Sequence, residues 1–206
     1  MGFNTFFNYE IVSINIIQDC IDKLEDLSNI EYEEHKRKRG DIFAVENNIK
    51  YASVAIVFIV DLYESAINTI IGRRLKIDGE DVLKLPTEVQ LAIICRMYNI
   101  NYNYIKGLAY YKTYTELKKI RNDFIHYKKN HIGQGLSLVG QFRIPFGSID
   151  KLLIEIIDKK QVEKYYNDVL KLIEVICDKC NLGINSDCEM IDSDARANSG
   201  EFIFQK

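Results

Sequence analysis

Apolar residues recur with a helical period from the start of the chain. From Tyr9 to about Leu27 they fall at Ile11, Val12, Ile16, Ile17, Cys20, Ile21 and Leu24, leaving Asp19, Asp22, Lys23, Glu25 and Asp26 on the opposite face. This spacing predicts an amphipathic helix. The segment "IEYEEHKRKRG" that follows is dense in charge and ends in Gly40, which reads as a solvated helix end or loop. A long helix is predicted from Asp41 to Leu75, with Asp41 as its N-cap. Its middle, Ala52 to Val60, is apolar on all sides and is expected to be the central buried helix.

"KIDGED" interrupts the pattern at Asp78-Gly79. Pro86 then opens a helix running to about Tyr98, with Glu88 placed favourably against its dipole. "NINYNYIKG" reads as an irregular aromatic connector. A further helix is predicted from about Tyr111 to Tyr127, carrying Tyr114, Leu117, Ile120, Phe124 and Tyr127 at helical spacing. "NHIGQGLSLVGQFRIPFG" is a glycine-rich loop with room for one short strand pair. Helices return briefly from Ser148 and then from Lys159 to Lys179. Residues from Leu182 are polar and aperiodic, as a disordered tail is. The expected organisation is one all-α domain over 1–181 and a tail over 182–206.

Composition agrees with long helices, because only two prolines and eleven glycines interrupt the chain. A net charge of -3 supplies no global field toward nucleic acid or a membrane, so an anionic partner must meet a local patch. Five cysteines at irregular spacing do not form a secreted disulfide framework. The opening "MGFNTFFNYE" lacks the basic and long apolar regions of a signal peptide. The run "SVAIVFIV" is too short to span a bilayer and is followed by Asp61 and Glu64. A soluble cytoplasmic protein with no membrane partner is expected.

The chemistry concentrates in "RNDFIHYKK" at 121–129. On an ideal helix Arg121 and His126 diverge by about 140°, whereas Asn122 and His126 share a face. The long arginine can swing round to that face, especially where the helix ends. An imidazole titrating near neutrality can move a proton on or off an RNA 2′-hydroxyl or 5′-oxygen. A guanidinium beside it can stabilise the charge of a phosphorane. Asparagine can orient the imidazole or donate to phosphate. This chemistry needs no metal or cofactor, and the sequence offers no metal site. The alternative is a basic helix end placed to suit the C-terminal dipole.

"RNDFIH" resembles the R-x(4–6)-H motif of the HEPN superfamily in its Arg-Asn form, and the likeness extends over residues 8 to 181. The resemblance implies an antiparallel helical bundle of the HEPN type that acts as a homodimer. It implies a metal-independent endoribonuclease with a toxin-like or phage-defence role, partnered by an antitoxin or regulatory protein. Carried onto this chain, it makes Arg121 and His126 the catalytic pair and Asn122 their assistant. The H-x-Y extension of one subgroup is absent, since Lys128 stands at that place. Non-catalytic members that bind RNA, nucleotide or a partner protein are the alternative class.

Neighbouring residues add to this picture. Lys118, Lys119, Lys128 and Lys129 surround the motif and suit an RNA backbone, and six tyrosines between 102 and 127 could stack on bases. "EHKRKR" at 34–39 is a solvated face or a guide for the RNA backbone. Cys177 and Cys180, in "CDKC", lack the further ligands of a zinc site and read as cysteines of a terminal helix turn. Asp61 and Glu64 interrupt an apolar helix and could meet Arg121, since a buried carboxylate must be paired. Glu64 is taken as the supporting residue behind the site.

Overall fold

The computed structural model describes residues 9–31, 36, 38–74, 80–126 and 151–181. Among them the secondary structure is all helical. In order the helices are α1 (Tyr9–Asp22), α2 (Arg39–Thr69), α3 (Glu80–Leu83), α4 (Thr87–Met97), α5 (Tyr102–Gly107), α6 (Ala109–His126), α7 (Lys151–Ile157) and α8 (Lys159–Lys179). A wide π-helical turn, Ile70–Arg74, continues α2. The glycine-rich loop and the tail both lie outside the described residues.

The chain divides into two compact units: Met1–Leu62 with Thr113–Val169, and Tyr63–Lys112 with Leu170–Lys206. In the first, α1 ends at Asp22 although the apolar period runs on through Leu24 and Leu27. Side chains of α2 capture the backbone that a longer helix would use. Asn47 Nδ2 donates to the Lys23 carbonyl at 2.7 Å, and Asn48 bonds both the N–H and the carbonyl of Glu25. Leu24, Leu27 and Ile30 are nevertheless buried, so this irregular segment keeps the apolar face without the helix.

Asp41 does not cap α2 from outside; it sits in the first turn. Its carboxylate reaches back to the N–H of Lys38 at 2.9 Å, the returning half of a capping box. Further along, Ala52, Ala55, Ile56, Ile59 and Val60 are fully buried, but Val54 is 38% exposed. The segment expected to be buried all round is therefore one-sided. The short apolar run belongs to a helical stretch of 34 residues through Gly72, which is long and apolar enough by length and composition to cross a membrane. Of its most apolar window, 56% is packed inside the protein, as the core helix of a soluble fold also is.

At the α7–α8 junction, Asp158 Oδ1 accepts from Lys160 N at 3.0 Å and so caps α8. Its Oδ2 accepts from Leu27 N at 2.8 Å. One carboxylate thus starts a helix and fixes the segment after α1.

In the second unit, the connector expected to be irregular contains α5. Asn101 starts it, its side-chain oxygen accepting from Asn103 N and Tyr104 N at 3.0 and 3.4 Å. Gln90, 2% exposed, donates to the carbonyls of Val82 and Leu83 and ties α3 to α4. Helix α4 closes through Asn99, whose φ of 55° is left-handed. Ile100 N then reaches the Cys95 carbonyl at 2.7 Å and Asn99 N reaches that of Arg96, a Schellman ending.

Candidate functional site

Helix α6 positions the candidate residues. Its apolar stripe buries Tyr114 and Leu117 completely, and Arg121 follows one turn after Leu117. Burial of that stripe fixes which way the helix faces, so Arg121 and Asn122 come out half-buried at its edge. His126 is the last residue of α6. Its side chain lies outside the described residues, as do Lys128 and Lys129.

The Arg121 side chain is 15% exposed and would be costly to bury without a partner. Asp61, from the apolar helix α2, supplies one: Arg121 Nη1 donates to Asp61 Oδ1 at 3.3 Å. Asp61 is itself 30% exposed. Both residues belong to the first unit. The pair holds a cation and an anion at the edge of the core, where screening by solvent is only partial.

Of the two carboxylates considered from sequence, Asp61 meets the arginine within the first unit. Glu64, the residue chosen from sequence, lies three residues further along α2, half-buried, in the second unit. Lys118 leans over the Tyr114 ring at 6.0 Å, whereas Lys119 is exposed. Lys36 and Lys38 of the basic cluster are exposed, and Arg39 opens α2 with its guanidinium over Phe43 at 5.5 Å.

The tyrosine-rich stretch has partners that were not legible from spacing. Lys179 and Lys171 of α8 lie over the rings of Tyr104 and Tyr110, at 5.5 and 5.7 Å, and Lys106 lies over Tyr102 at 5.3 Å. Such pairs add modestly to stability at exposed sites. The Tyr102 hydroxyl donates to the Glu88 carbonyl, which fixes that ring.

Cys177 and Cys180 are buried thiols at the end of α8, and Cys95 of α4 is a third in the same unit. Burial, with the Cys95 sulfur nearby, pushes the Cys180 thiol up to about 12. A thiol so disfavoured as thiolate is a poor nucleophile and a poor ligand. Among the described residues no group of three His, Cys, Asp or Glu side chains is placed to hold a metal ion.

Comparison with known proteins adds no relative: no protein-family model, no curated protein and no solved structure matches the chain.

Proposed function

We propose that the protein is a metal-independent endoribonuclease of the HEPN type, acting as a cytoplasmic homodimer in a toxin-like or phage-defence role. The observation that carries the reading is the placement of Arg121. It stands on the helix that ends at His126, drawn to the edge of the core by a carboxylate, with Asn122 beside it. In this reading one His126 imidazole takes the proton of an RNA 2′-hydroxyl as the O2′–P bond forms. A protonated His126 imidazole, supplied by the second copy, gives a proton to the 5′-oxygen as the P–O5′ bond breaks. Arg121 stabilises the charge on the phosphorane, and Asn122 orients the groups. The products are a 2′,3′-cyclic phosphate and a 5′-hydroxyl. Phe43 and Val54, 55% and 38% exposed on α2, are apolar surface that a second copy would cover.

The ion pair also favours a second reading, a non-catalytic helical dimer that binds RNA, nucleotide or a partner protein. There Asp61 already matches the charge of Arg121, and the arginine serves binding or packing alone.

Product ends separate the two. The first reading predicts cyclic phosphate termini from RNA and no cut at a position bearing a single 2′-deoxy substitution. Cleavage at the 2′-deoxy position would exclude attack by the 2′-hydroxyl.

A further inference from the structure

We infer that Asp61 is a positioning residue for Arg121 in the proposed cleavage, an inference that rests on the ribonuclease reading. An arginine reaches its target through a long chain of rotatable bonds, and electrostatic stabilisation of a transition state depends on donors already aimed. Asp61 fixes one end of that chain. Its own backbone is rigid, since Val60 and Leu62, its neighbours on α2, are 0% and 3% exposed. The partner helix is equally fixed by Leu117 at 0% exposure, one turn before Arg121. Two rigid helices therefore hold the carboxylate and the root of the arginine, and the 3.3 Å contact ties the guanidinium to that carboxylate.

The length of the contact matters. Charge-assisted bonds of this kind commonly close to about 2.7–2.9 Å. At 3.3 Å the contact is longer than that, and a phosphate oxygen can compete for the same cation. Asp61 then aims Arg121 before RNA arrives and does not retain it when the phosphorane forms. Truncation of the carboxylate leaves the arginine charged but poorly aimed, so the loss falls on the chemical step.

The test compares wild type, Asp61→Asn and Asp61→Glu on one RNA substrate, reading kcat, KM and melting temperature. Positioning predicts that Asp61→Asn lowers kcat about tenfold or more, with KM unchanged or lower because a negative charge beside the RNA is gone. Asp61→Glu, which keeps the carboxylate, recovers most of kcat, and it also serves if the Asn variant does not fold. A kcat at or above wild type in Asp61→Asn overturns the inference and marks the pair as a mask on Arg121. A parallel loss of kcat, affinity and melting temperature in both variants overturns it in favour of a packing role. If Asp61→Asn is impaired only in proportion to its unfolded fraction, the same conclusion holds. A wild type that cuts no RNA overturns the ribonuclease reading and this inference together. A cutting wild type with an unaffected Asp61→Asn overturns the inference alone.

Discussion

Asn48 on α2 donates from Nδ2 to the carbonyl of Ile157 at 3.0 Å, from a side chain with no exposed surface. The same nitrogen reaches the Glu25 carbonyl at 2.8 Å, and Oδ1 accepts from Glu25 N at 2.9 Å. One buried amide therefore closes the backbone of the segment after α1 and the end of α7. Three polar groups of the main chain depend on it: the Ile157 carbonyl would be left unpaired in a buried site, and the two groups of Glu25 in a part-buried one. Asn48→Leu is predicted to lower unfolding stability by about 2–4 kcal/mol, since each orphaned buried group costs roughly 1–3 kcal/mol. Urea denaturation checks this; a loss of a few tenths would mean that water replaces the amide.

The left-handed backbone at Asn99 gives a prediction of opposite sign. Asparagine tolerates φ of 55° better than most residues, and glycine tolerates it best. Asn99→Gly should leave stability unchanged or raise it by about 0.5 kcal/mol, whereas Asn99→Val should lower it by about 1–2 kcal/mol. Thermal melting of the two variants side by side measures the difference.

Alkaline pH should weaken the fold. Burial raises the thiols of Cys20 and Cys95, takes Cys180 from 9.0 up to about 12, and takes the Tyr111 phenol from 10.0 up to about 12. Each group keeps its proton longer when folded, so its stabilising effect is complete below the unfolded value. It is lost as pH rises toward the folded one. Stability should hold to about pH 9 and then fall, by at most about 1.4 kcal/mol per pH unit for each group. Cys180→Ala should make the decline shallower. Denaturation midpoints from pH 8 to 11 test this, and a flat profile would contradict it.

Local signals carried much of the fold. Helix α8 runs from Lys159 to Lys179 as its periodicity predicts, helped by Asp158 in the capping position. Helix α1 is shorter than its periodicity predicts because Leu24 and Leu27 keep the helical period, while the residues that stop the helix, Asn47 and Asn48, come from another helix. Helix α5 is weakly signalled in the sequence because Asn and Tyr are weak helix formers, although Asn101 is a good cap. At the candidate site the residue types are legible in "RNDFIH", and Asp61 is legible as a carboxylate in an apolar run that needs a partner. Arg121 and Asp61 are separated by 60 residues, and periodicity does not report the distance between a carboxylate on one helix and an arginine on another. The lysines over Tyr104 and Tyr110 escaped for the same reason, since α8 brings them from far along the chain.

Cleavage of a mixed RNA pool in EDTA, by wild type and by the His126→Ala and Arg121→Ala variants, tests the central claim most directly. The ribonuclease reading predicts that wild type cuts without added metal, and that each substitution lowers the rate at least a hundredfold, on the order of losing one positioned acid–base group, while helical content and the dimer persist. Intact RNA with wild type across pH and salt, or cleavage that survives both substitutions, would contradict it.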